Sequence, residues 1–131
     1  MADLDSKYRP GFLDQLDDGE ELRGICVASQ QKSMFKGGAV AIGVTDGRLL
    51  VQPLNRRGNP DGPIDPISPE RIASVKAGGA GGGWWSVSTA ILDQAAVKLE
   101  IETTDGERLK LMLMRGGTEP LAEWFRAHEP T

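Results

Sequence analysis

Apolar and polar positions alternate most clearly near the end of this chain. Val97, Leu99 and Ile101 are separated by Lys98 and Glu100, and Leu109, Leu111 and Leu113 continue the pattern beyond an Asp-Gly pair. Period-two alternation is the signature of a strand with one buried face, and Asp-Gly between two such runs signals a hairpin. Register counting selects the loop. A two-residue loop would set Ile101 opposite Lys110, whereas the three-residue loop Thr104-Asp105-Gly106 pairs Ile101 with Leu109 and Leu99 with Leu111. It also sets Glu102 against Arg108 and Glu100 against Lys110, so opposite charges meet on the outer face. Gly106 is then expected in the left-handed conformation beside a bulge. An earlier Asp-Gly, in Val44-Thr45-Asp46-Gly47-Arg48-Leu49-Leu50, gives a different answer. There a two-residue loop of type I′ pairs Thr45 with Arg48, Val44 with Leu49 and Ile42 with Val51.

The remaining pattern places further elements around these hairpins. Residues 1–8 are polar and expected to be loose, with a short helical turn from Pro10 to Leu16 and a stop at Gly19. A strand follows from Glu21 to Ala28, then a polar loop from Gln30 to Gly38. Asn55 to Pro66 is a break rich in turn residues, and Pro66 restricts any strand there to an edge strand or a very short one. Ser68-Pro69-Glu70 reads as a brief helical start with proline just inside it. After the glycine-rich stretch Ala77 to Gly83, Trp84 and Trp85 open another strand, with Trp85 on the core face and Trp84 on the more polar one. A closing helix is capped by Thr118 and carries Leu121, Trp124 and Phe125 as one apolar stripe. The expectation is a mainly β domain over residues 19–131, preceded by a polar segment over 1–18. About seven antiparallel strands form a bent sheet or partly open barrel, with the C-terminal helix over an open end or face.

Composition changes this picture little. At 131 residues the chain fits one domain, and 17 glycines with 8 prolines suit a turn-rich β fold better than a helical bundle. A net charge of −4 argues against unspecific binding to nucleic acid. Asp14, Asp17, Asp18, Glu20 and Glu21 cluster early and read as a solvated acidic entry. Cys26 is the single cysteine, so no intrachain disulfide forms, and its apolar neighbours make it a small buried hydrophobe. The start of the sequence has neither a basic region nor an apolar one, so no secretory signal is expected. The longest apolar run is far short of the ~20 residues of a membrane-spanning helix, and the expected location is the cytoplasm.

Several segments together resemble a known family. Gly19-Glu20-Glu21-Leu22 enters the first strand, and Val44 to Leu50 crosses the next hairpin. Ile67 to Ile72 is a short strand and turn, Leu99 to Gly106 another hairpin arm, and Leu121-Ala122-Glu123-Trp124-Phe125 the final helix. In that order these elements resemble the pleckstrin-homology-like superfold, and within it the bacterial PH/GRAM-like domains, over roughly residues 19–127. The resemblance implies a seven-stranded, strongly bent sheet or partly open barrel, capped by the C-terminal helix. Some members bind phosphoinositides through basic residues of the loop between strands one and two, and some self-associate. Here that loop is Gln30 to Gly38, which holds Lys32 and Lys36 but lacks a dense Lys-x-Arg pattern.

Candidate chemistry is sparse. The glycine run at 78–83 fits neither phosphate-loop template, because no Gly-Lys-Ser/Thr follows and no Gly-x-Gly-x-x-Gly register is complete. No nucleophile–base set, metal-ligand spacing or cofactor motif occurs, so an enzyme is not expected and neither is a cofactor or metal. Met34, Phe35 and Trp84 are large apolar residues in polar surroundings, as at contact surfaces. Arg56 and Arg57 can supplement Lys32 and Lys36. The leading expectation is a non-enzymatic interaction module that binds a protein partner or itself. Peripheral membrane or phosphoinositide binding through the lysines is the alternative, and a small-ligand carrier between sheet and helix ranks third.

Overall fold

The computed structural model describes residues 3–30, 39–55, 57–77, 91, 96–114 and 118–128. Helix α1 (Asp3–Gln15) leads into strands β1 (Leu22–Gln30), β2 (Ala39–Thr45), β3 (Leu49–Leu54) and β4 (Asp65–Ile67). A 3-10 turn, Pro69–Arg71, joins β4 to β5 (Ile72–Ala77), and β6 (Ala96–Thr103), β7 (Arg108–Met114) and helix α2 (Glu119–Ala127) complete the chain. Among the described residues the seven strands form one antiparallel sheet in the order β4-β3-β2-β1-β7-β6-β5. The sheet is open, since no ladder joins β4 to β5 among those residues. Its two edges are nevertheless linked by only four residues, Ser68 to Arg71. Such a link spans at most ~17 Å, whereas six strand spacings in a flat sheet cover ~29 Å, so the sheet must bend.

Both hairpin registers match the alternation. Val44 pairs with Leu49 and Ile42 with Val51; Ile101 pairs with Leu109, Leu99 with Leu111, and Glu100 with Lys110. Gly106 is left-handed at φ 92° in its three-residue loop. The first loop has the expected length but is not type I′, because Gly47 does not adopt positive φ. The reason is Thr45. Its hydroxyl accepts the N–H of Arg48 at 3.0 Å and of Gly47 at 3.3 Å, so the side chain organises the loop in place of a primed turn. The strand at Pro66 is a three-residue edge strand, and Ser68-Pro69-Glu70 does begin a helical turn.

Two cores sit on the two faces of the sheet. The larger takes residues from all seven strands, among them Cys26, Ile42, Leu49, Ile67, Val75, Leu99 and Leu111, together with Leu121, Ala122, Trp124 and Phe125 of α2. Ile91 joins this core with helical backbone, in contrast to the strand expected from Trp84 onward; residues 84–90 lie outside the described set. Thr118 does not cap α2 through its side chain; its carbonyl accepts the Ala122 N–H at 3.0 Å. Among the described residues, no helix is long and apolar enough to cross a membrane.

The smaller core lies under α1, against the outer face of β1–β3, where Tyr8 and Phe12 bury on Ile25, Ala41, Leu50 and Leu54. This helix is longer than the turn expected from Pro10, and it starts at Asp3. Pro10 and Gly11 lie in its middle, at costs of about 3 and about 1 kcal/mol relative to alanine. Thirteen residues are also too few for an isolated helix, so docking holds it. Two glycines allow close docking on both faces. A Cβ at Gly43 would meet the Phe12 ring at 3.0 Å, and one at Gly24 would meet Pro120 Cγ at 2.6 Å.

Candidate functional site

Of the expected contact residues, Lys32, Met34, Phe35, Lys36, Arg56 and Trp84 lie outside the described residues. Arg57 is exposed, and its backbone N–H donates to Asn55 Oδ1 at 2.9 Å, an oxygen that also accepts the Asn59 N–H at 3.0 Å. Strand direction relates the connections to one another. The sheet is antiparallel between neighbours, so the end of β1 and start of β2 lie at the same end of the sheet as the end of β3 and start of β4, whereas the end of β5 and start of β6 lie at the opposite end. Lys32, Met34, Phe35, Lys36, Arg56 and Arg57 belong to connections that leave from the first end, and Trp84 to the one that leaves from the opposite end. Contact among their side chains is not part of the described structure.

A different feature stands out in the described residues: the two sheet edges are unequal. Edge strand β4 has three residues, and Pro66 at its centre has no N–H to offer a neighbouring strand. Its carbonyl is occupied as well, accepting from Arg71 Nη1 at 2.7 Å. Strand β5 is twice as long and pairs with β6 on one side only, among the described residues. Ala73 and Lys76 are exposed along it, and the register shift between Ile72 and Ser74 marks a bulge. Bulges and edge lysines are the usual guards of an open strand, so β5 is an edge with partial protection rather than none.

Arg71 sits where the two edges approach. Its guanidinium donates to Asp65 Oδ1 at 3.0 Å and lies 3.6 Å from Asp105 and 3.5 Å from Glu107. Its carbonyl accepts the Thr104 N–H at 2.8 Å. One side chain thereby ties β4 to the β6–β7 turn. Asp105 is held below the usual carboxylate range, first by a hydrogen bond from the Thr103 hydroxyl.

A second arginine organises the entry to β1. Arg48 meets both oxygens of Glu20, Nε to Oε2 and Nη2 to Oε1, each at 2.9 Å, and donates to the Gln15 carbonyl at 2.7 Å. Glu20 also accepts from the Thr45 hydroxyl and the Asp17 N–H, both at 2.9 Å. The paired arginine holds the Glu20 carboxyl down at about 2, against partial burial that pushes the other way. Glu20 is therefore not part of a solvated acidic entry, although Asp14, Asp17, Asp18 and Glu21 are exposed as expected. Neither Arg48 nor Arg71 stands out from the sequence. The available signal was the threonine that opens each Asp-Gly loop, since Thr45 and Thr103 are both buried beside these networks.

Cys26 is buried in the larger core, and burial pushes its thiol up to about 12, so it behaves as the small hydrophobe expected. Between sheet and α2, Trp124 and Phe125 are both buried, with ring centroids 5.2 Å apart in an edge-to-face contact. Among the described residues no cluster of His, Cys, Asp and Glu has the arrangement of a metal site.

No family model matches the chain, and no curated protein matches it either. Among solved structures it is similar to the crystal structure of the C-terminal domain of an unknown protein from Leishmania infantum. The two share 12% identity at a TM-score of 0.58, over 96% of this chain and 98% of that one. At that identity the likeness is one of fold.

Proposed function

We propose that this chain is a non-enzymatic, PH-like interaction module of the cytoplasm. In this reading it binds a protein partner, or a second copy of itself, by adding a strand to the open edge of β5. The observation that carries it is the inequality of the edges: β4 is three residues long with Pro66 at its centre, whereas β5 offers six residues paired on one side only among those described. Strand addition supplies main-chain hydrogen bonds for affinity and alternate side chains for selectivity. The seven-stranded meander followed by a helix supports the PH-like assignment. The polar groups that do come together are engaged with one another, as in Glu20–Arg48 and Asp65–Arg71, which supports a structural role for them.

Light scattering over a concentration series tests the self-association form. The parent chain is expected to dimerise as concentration rises, and Ala73→Lys to weaken the dimer about tenfold by setting a second charge on the edge near Lys76. Ala73 is exposed, so the fold tolerates the change. A parent that stays monomeric at the highest soluble concentration sinks self-association through β5.

A further inference from the structure

A second apolar surface of this molecule is covered by a helix of the same chain. The outer face of β1–β3 presents Ile25, Ala41, Leu50 and Leu54, all buried beneath α1. We infer that α1 is an exchangeable cover, and that this face takes the α1 of a second copy of the chain when its own helix is turned away. The surface differs from the β5 edge, and the inference does not depend on that reading.

The cover rests on few anchors. Tyr8 and Phe12, four residues apart on one side of the helix, are buried, and the Tyr8 hydroxyl donates to the Gly58 carbonyl at 2.6 Å. Leu13, next to Phe12, is 47% exposed, so the buried stripe is narrow. Pro10 and Gly11 between the anchors leave the helix dependent on the face it covers.

The return of α1 onto its own sheet depends on one tight turn. The Glu20 N–H donates to the Asp17 carbonyl at 3.0 Å, with Gly19 at φ 83° in the third position, where a type II reversal requires positive φ. Arg48 clamps that turn by holding the Gln15 carbonyl and both Glu20 oxygens. The clamp and the turn lie outside the apolar contact itself. A helix released from them and laid on a neighbour would therefore restore Tyr8 and Phe12 to the same surroundings, which is the condition for exchange between identical protomers.

Gly19→Val tests this without touching the contact. A Cβ at Gly19 meets nothing within 4 Å, so the substitution acts only by opposing positive φ in a β-branched residue. Expected is a shift of the monomer–dimer equilibrium toward dimer by about tenfold in light scattering. The dimer should keep its α1 amides protected in hydrogen exchange. Gly19→Asn, which accommodates positive φ, should behave as the parent. Adding Phe12→Ala to Gly19→Val should return the equilibrium to that of the parent, while adding Ala73→Lys should leave the shift caused by Gly19→Val intact. A Gly19→Val chain that dimerises no more than the parent overturns the inference, as does a shift toward dimer that survives Phe12→Ala or a dimer in which the α1 amides exchange freely.

Discussion

Gly24 and Gly43 lie on neighbouring strands, one step apart in register, where Gly24 pairs with Val44 and Ile25 with Gly43. They face opposite sides of the sheet, and each receives a helix: Pro120 at the start of α2 over Gly24, and Phe12 of α1 over Gly43. A missing side chain is a contact surface here, because any methyl group would push a ring outward. Gly24→Ala meets the rigid Pro120 ring, so α2 must shift, and a loss of about 1–3 kcal/mol is expected in urea unfolding. Gly43→Ala meets Phe12 and Leu22 and should cost a similar amount, with the loss concentrated in α1 protection by hydrogen exchange. Neither position is distinguishable in the sequence from a glycine that merely weakens a strand. Its meaning depends on a proline or phenylalanine brought in by a separate element.

At the scale of elements, the two halves of the sheet differ in what covers them. Strands β6 and β7 alternate, with Lys98, Glu100 and Arg108 turned from the core, and this alternation makes their register readable from the sequence alone. Strands β1, β2 and β3 are apolar on both faces: Cys26 and Ile42 point to one core while Ile25 and Ala41 point to the other. Continuous apolar runs imply a strand covered on both sides. That rule identifies which half α1 must cover, but no local pattern says that a helix containing proline and glycine will do the covering. A loose start at residues 1–8 is what propensity alone predicts, and docking overrides it. The type I′ turn fails for a related reason, since Thr45 supplies a hydrogen-bonding partner that the backbone pattern does not include. The entry from α1 to β1 should be acid-sensitive. Glu20 is held at about 2 in the fold against an ordinary 4.5, so its stabilisation is complete above about pH 4.5 and is lost as pH falls through about 2. Glu20→Gln is expected to cost up to about 3 kcal/mol at neutral pH. Thermal unfolding of the two proteins should converge as pH falls to about 2, and a gap that does not change with pH would contradict the pairing.

For the molecule as a whole, the bend follows from topology, and Arg71 holds it at one end. The four-residue link between β4 and β5 draws the edges together, and Arg71 joins Asp65 and Pro66 on one side to Asp105 and Glu107 on the other. Arg71→Met keeps the length of the side chain but removes its five donors. It is expected to lower stability by about 1–2 kcal/mol and to speed amide exchange in β4 more than in β7. Uniform acceleration across the sheet would show that the arginine does not brace the edges. Strand β1 lies at the centre of the sheet, with β2 on one side and β7 on the other, where Ala28 pairs with Leu113. This order sets a timetable for synthesis. While the chain emerges from a ribosome, β1, β2 and β3 can pair, yet β1 keeps an unpaired edge until β7 has followed. From the completion of β3 until β7 follows, the most apolar strands therefore form a three- or four-stranded ribbon with an open central edge. A chaperone that binds extended apolar segments should meet nascent chains ending before residue 108 and release those that extend beyond β7.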